Sequence, residues 1–217
     1  MVDTRQPLNY VLGAELPPLI WLGETELRTP LIPPRTLCNG HPYRGNKPRR
    51  GGWWLSPWRP ESRSCAWLDW IRENEFETRK SSVARSVRLQ SDARVLRIAS
   101  KDDLEALCGR FELPAVPSLH PEDEHFWPVR LNFERIRREY AAIYLTEAGQ
   151  RETHPHWIYP NLFGWDCETV LVLDPCAIDW ISPPVAIVDP MRPAQLDRLL
   201  LPPVHVPTSW PASKRDA

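Results

Sequence analysis

Phe163–Pro175 reads FGWDCETVLVLDP. Its apolar run, Val170, Leu171, Val172 and Leu173, is bounded by turn-forming residues, which is the pattern of a buried β-strand. Directly ahead of it stand Asp166, Cys167 and Glu168. A strand that only fills a core gains nothing from two carboxylates at its head, so this cluster is a candidate site. Spaced two apart on a strand, Asp166 and Glu168 are expected on one face and Cys167 on the other. Two carboxylates sharing a face suit an acid–base or electrostatic role. A solvated strand end, with Asp166 capping a turn, accounts for the same residues equally well.

Working outward, AAIYLT (141–146) and ARVLRIA (93–99) read as further strands, and LIWLGETEL (19–27) as an early one. WWLSPW (53–58) is expected to be only a brief strand, because Pro57 removes a ladder donor. Three helices are expected. One spans Ser62 to Phe76, with Ser62 or Ser64 as N-cap and Trp67, Trp70 and Ile71 on one face. Another begins at Ser100, with Asp103 completing a capping pattern and Leu104, Leu107, Cys108 and Phe111 stacked. The third is capped by Asn132 and carries Phe133, Ile136 and Tyr140. The segment EAGQRETHPHWIYPN reads as a polar insert, and 114–128 as a loop with an acidic cluster at Glu122, Asp123 and Glu124.

Five or six short strands and three helices without a strict βαβ rhythm define an α+β fold with short-stranded mixed or antiparallel sheets. We expect a single α+β domain over residues 1–180, followed by a proline-rich wrap and tail over 181–217. The chain has 217 residues, enough for a sizeable core, and its 25 Pro against 9 Gly call for short elements and long connections. A net charge of -1 argues against whole-surface attraction to nucleic acid or anionic membrane. With no apolar run near the length of a membrane span, no export signal and five scattered cysteines without a CxxC pair, a cytoplasmic protein with reduced thiols and no membrane association is expected.

Further chemistry is concentrated near the first tryptophans. Ser56 lies among Trp53, Trp54 and Trp58, where a hydroxyl positions a ligand while a ring stacks on a flat heterocycle; a turn serine before proline accounts for it equally well. No G-x-S-x-G elbow surrounds it, which argues against a serine nucleophile. The loop HPYRGNKPRRGG (41–52) carries Arg44, Lys47, Arg49 and Arg50 among glycines, a composition that suits phosphate or simply solvent. His154 and His156 flank Pro155, and His41 lies near Cys38, but neither pair has metal-ligand spacing, so no metal is expected.

Taken together, GWWLSPW with the WLDW helix, the VLRI strand, and EYAAIYLTEAGQ leading to LFGWDCETVLVLDP resemble a group of uncharacterised bacterial and phage proteins. Those carry similar Gly-Leu-Trp-x-Ser-Pro and Gly-Trp-Asp-Cys-Glu-Ser segments. More distantly, the chain resembles ADP-ribosyltransferases, which are marked by an early-strand Arg or His, a Ser-containing or aromatic middle strand, and a Glu heading a late apolar strand. Ser56 stands for the second mark, and Asp166-Cys167-Glu168 for the third. For the first, Trp21 holds the place if LIWLG is the early strand, and Arg44 if YRG is.

That resemblance implies an ADP-ribosyltransferase-like fold and transfer of ADP-ribose from NAD to a macromolecule, protein or nucleic acid, by a toxin or host modifier. It implies that Glu168 binds a ribose hydroxyl and stabilises the oxocarbenium-like centre, with Asp166 steering the acceptor and Ser56 bracing the glutamate or ribose. Trp53, Trp54 or Trp58 would stack on nicotinamide, and Arg44, Arg49 or Arg50 would meet the pyrophosphate. Two other readings stand beside it. One is a non-catalytic module that grips a nucleotide or a protein, and the other a nucleic-acid-interacting protein using the basic loop and exposed tryptophans. The acceptor and the oligomeric state are not written in the sequence.

Overall fold

A computed structural model describes residues 8–23, 37–40, 46–74, 82–114 and 129–187. Arg44, the acidic cluster at 122–124 and everything after 187 lie outside the described residues. The described chain is α+β. Ten strands form one hydrogen-bonded network, eight of them along its main path. That path runs β1 (Tyr10–Leu12), β6 (Arg94–Ile98), β7 (Ala142–Leu145), β8 (Thr169–Val172), β3 (Trp53–Arg59), β2 (Leu19–Gly23), β5 (Ser82–Leu89) and β10 (Val185–Ile187). Two more strands sit off it: β4 (Ser64–Cys65) on β3, and β9 (Ile178–Ile181) on β5.

All pairings are antiparallel except that of β6 with β7, where Val95 lies beside Ala142 and Ile98 beside Leu145. A parallel pair needs a crossover, and this one contains α2 (Lys101–Phe111) and α3 (Phe133–Arg137). Both helices start as their sequences require. Ser100 accepts from the Asp103 amide while Asp103 reaches back to the Ser100 amide, and Asn132 accepts from the Arg135 amide. Their buried faces, Leu104, Leu107, Phe111, Phe133 and Ile136, cover Leu96, Ile98, Ile143 and Leu171 on one side of the sheet.

On the other side, Leu19, Leu55, Val87, Val95, Ala142 and Val170 share a single core. These come from strands near both ends of the path, so the sheet curls round until its two halves meet. That is why β7 and β8 are apolar on both faces rather than alternating.

Several elements differ from the sequence expectation. β3 runs straight through Pro57, because its neighbour changes there. It pairs with β8 at 53–55, with β2 at 56–57 and with β4 at 58–59, and bonding resumes with Trp58 N–H to the Pro18 carbonyl at 2.7 Å. The first helix, α1 (Ala66–Glu73), begins at Cys65 rather than at Ser62 or Ser64. It buries Leu68 and Ile71 and leaves Trp67 exposed, stacked on Trp70 at 5.0 Å and 9°. Within the expected polar insert lies a fourth helix, α4 (Glu147–Thr153), whose Thr146 cap accepts from the Gly149 amide at 3.1 Å. The sheet also continues past residue 180: β9 straddles that point, and β10 follows it on the edge of β5.

Candidate functional site: a tryptophan-lined cleft where two strands part

β2 and β3 are hydrogen-bonded neighbours for only two residue pairs, Leu19 with Pro57 and Ile20 with Ser56. Beyond them β2 follows β5 as far as Gly23, while the first half of β3 follows β8. The two strands therefore diverge, and the gap between them is a cavity of about 420 Å³. A volume in this range, with mostly apolar walls and a few polar groups, is typical of a small-molecule site.

Tryptophans form its walls. Trp21 comes from β2, Trp53 and Trp54 from β3, Trp67 from α1 and Trp165 from the loop before β8. Trp54 and Trp165 meet edge to face at 4.8 Å and 74°, and Trp21 and Trp53 are tilted at 6.0 Å. The Trp165 indole N–H donates to the Asn46 carbonyl at 2.8 Å, which fixes its ring. Behind this wall the chain turns at Gly52, with φ +74°, where an added Cβ would stand 2.7 Å from Leu171 Cδ1. Only glycine satisfies both the left-handed backbone and the close approach.

The polar groups are few. Ser56 is 4 % exposed, and its Oγ accepts from the Trp67 amide at 3.2 Å. Cys65, the N-cap of α1, makes no side-chain cap bond, so a serine on the neighbouring strand supplies the acceptor the helix start lacks. Asp166 lines the opening, with its carboxylate 3.7 Å from His154 Nε2. Cys167 also lines it. Burial, assisted by the neighbouring Cys65, Asp166 and Glu168, pushes its thiol up to about 12, so it is a small neutral wall group rather than a nucleophile.

Glu168 does not line the cavity, although Cys167 and Thr169 on either side of it do. Its carboxylate is 10 % exposed and is held by two other groups. Tyr144 donates to Oε1 at 2.7 Å and Arg59 to Oε2 at 2.8 Å. Arg59 also reaches Glu147 at 3.3 Å and Asp69 at 3.6 Å, so it joins β3, α1, α4 and the head of β8. Burial and then the bond to Glu168 push the Tyr144 phenol well above its ordinary range.

The expected pairing of Asp166 with Glu168 on one face is thus corrected. β8 begins only at Thr169, and residues 163–168 form a turn, with Gly164 at φ +93°, followed by a bend. Strand alternation does not apply there, and the two carboxylates are sent to different partners.

Of the expected ligand-facing residues, Ser56, Trp53, Trp54 and Asp166 come together at the cavity. Trp58 does not: it is absent from the lining and packs with Ile20, Cys65 and Leu68 beneath α1. Arg49 and Arg50 are exposed on a loop whose backbone bonds to Cys38, away from the cavity lining. The basic-loop residue that does reach the cavity is Lys47. Trp21, which holds the early-strand place in the resemblance, also lines it, as do Trp67 and Trp165, which carry no sequence signal for the site; a count of 11 Trp gives no means of separating walls from core. Arg59 and Tyr144 carry no local signal at all, since only the sheet order brings them to Glu168.

Among the described residues no group of three or more His, Cys, Asp or Glu gathers in metal-binding geometry, and no helix is long and apolar enough to cross a membrane. No family model, curated protein or solved structure matches the chain.

Proposed function

We propose that the tryptophan-lined cleft binds the flat heterocycle of a nucleotide, and that the reaction it serves is transfer of ADP-ribose from NAD to a macromolecule. One observation carries the binding half. Where β2 and β3 part, five indoles enclose a space of about 420 Å³ with Ser56 and Asp166 at its polar edge. Stacking on indole is worth about 1–3 kcal/mol per base and needs no particular hydrogen-bond pattern. The transfer half comes from the resemblance to ADP-ribosyltransferases, together with the ADP-ribosyltransferase-like fold it implies. In this reading Asp166 faces the ligand directly. Glu168, next to two lining residues, acts at the developing positive charge only after exchanging Arg59 or Tyr144 for a ribose hydroxyl.

A second reading, a nucleotide-binding module without catalysis, is favoured by one specific feature: both oxygens of Glu168 are engaged, by Tyr144 and Arg59, outside the cavity lining. The test is incubation with NAD, alone and with cell lysate, followed by mass analysis of nicotinamide and modified products. Release by the wild-type protein and its loss in Glu168→Gln, with NAD binding retained, is the transferase outcome. Binding without release in both proteins is the module outcome. No binding of NAD by either overturns the proposal for this donor.

A further inference from the structure

Resting on the reading of the cleft as a nucleotide site, we infer that Lys47 selects a ligand carrying an anionic group, so that the cleft takes a nucleoside phosphate in preference to the bare nucleoside. Lys47 Nζ lies 5.6 Å from the Trp54 ring centroid, and its side chain lines the cavity. Its stem runs past Gly164, where an added Cβ would come within 3.8 Å of Lys47 Cε. The residue before it is anchored on the same segment. Asn46 is 5 % exposed, its side chain donates to the Phe163 carbonyl, and its own carbonyl accepts from Trp165.

Lys47 is therefore a cation placed by a fixed backbone at the mouth of an aromatic cavity, and it has no carboxylate in ion-pair range among the described residues. The other charged lining residue, Asp166, sits beside His154 instead. An ammonium in that position gains most from a phosphate on the ligand, as a point charge with three donors on a mobile stem. Arg49 and Arg50, on the same loop, do not line the cavity and have no such role.

The probes are nicotinamide mononucleotide and nicotinamide riboside, which share the heterocycle and ribose and differ by one phosphate. Their binding is followed by calorimetry and indole quenching. The wild-type protein is expected to prefer the mononucleotide by about ten-fold, the equivalent of about 1.4 kcal/mol. Lys47→Gln is expected to abolish that preference while leaving riboside affinity within two-fold, Lys47→Arg to keep it, and the double change Arg49→Gln/Arg50→Gln to leave it intact. Equal wild-type affinities, a preference that survives Lys47→Gln, or equal loss of both ligands in that variant overturns the role of Lys47 but not the cleft. Failure of the folded wild-type protein to bind either probe overturns the cleft reading itself, and this inference with it.

Discussion

Tyr144 donates its hydroxyl hydrogen to Glu168 Oε1 at 2.7 Å, inside a cluster that Arg59 closes from the other side. A hydrogen bond to a charged, nearly buried acceptor contributes about 1.5–3 kcal/mol, and removing one partner leaves the other poorly satisfied. Tyr144→Phe is therefore expected to lower unfolding free energy by about 2 kcal/mol in urea denaturation. Glu168→Ala should cost at least as much, because it strands both the phenol and part of the Arg59 interaction. A loss below about 0.5 kcal/mol in both would show that the cluster contributes nothing to the fold.

Cys167 offers a chemical test of the cleft wall. Burial raises its thiol to about 12, so near neutral pH its thiolate is far scarcer than that of an exposed cysteine. Iodoacetamide at pH 8 should label the exposed Cys176 long before Cys167, as read by peptide mass mapping. Labelling of Cys167 at a comparable rate would contradict the burial described.

The same shifts fix how stability depends on pH. Cys108, Cys167, Tyr144 and Tyr159 all hold their protons more tightly folded than unfolded, chiefly through burial. Between the unfolded thiol value of about 8.5 and the folded values the native state binds more protons, so stability falls as pH rises. Full stability is expected below about pH 8, with a decline of up to about 1.4 kcal/mol per pH unit above it for each of the two thiols, Cys108 and Cys167, while the tyrosines add to the decline only above about pH 10. Urea midpoints at pH 7, 9 and 10 measure it. A flat profile across that range would be the contrary result.

Local signals and their absence explain which parts of this architecture were readable. α2 was legible because Ser100 and Asp103 announce its start and four apolar residues its face, and all of these behave as the pattern requires. β8 was legible as an apolar run. α4 was not, because only Gly149 and Thr153 of its seven residues are buried, so no apolar stripe exists to read. β5 was missed because Arg85 and Arg88 interrupt its apolar residues, and their charges are met from afar, by the Ser182 carbonyl and Asp179. The cleft follows the same rule. Its tryptophans are visible, but the parting of β2 from β3 that separates Trp53 and Trp54 from the buried Trp58 is a property of strand order. The place of Glu168 just ahead of an apolar run is visible in the sequence, whereas the turn at 163–164 and the bend after it, which break strand alternation there, are not.

Gly149 tests the packing of that unannounced helix. A Cβ there would lie 2.1 Å from the Ile98 carbonyl oxygen, against backbone that cannot yield without disturbing β6. Although alanine favours helices, Gly149→Ala is expected to destabilise the protein by about 1–3 kcal/mol. Thermal and urea unfolding of the variant check this. A stabilised variant would mean that α4 does not pack on β6 at this distance.

Ser56 separates a structural from a ligand role at the cleft itself. Its Oγ accepts the Trp67 amide at the start of α1, and loss of a helix-start acceptor costs about 1 kcal/mol. Ser56→Ala is therefore expected to lower stability by about that amount while leaving NAD affinity within about two-fold, since its hydroxyl is engaged by the Trp67 amide and the Cys65 thiol at the start of α1. Ser56→Thr restores the acceptor but adds a methyl group in a site that is 4 % exposed, so it should not recover the full stability. If Ser56→Ala instead keeps wild-type stability and loses NAD binding ten-fold or more, the hydroxyl faces the ligand. The cap at Trp67 would then be incidental, and the serine would take the part that the resemblance to ADP-ribosyltransferases gives it.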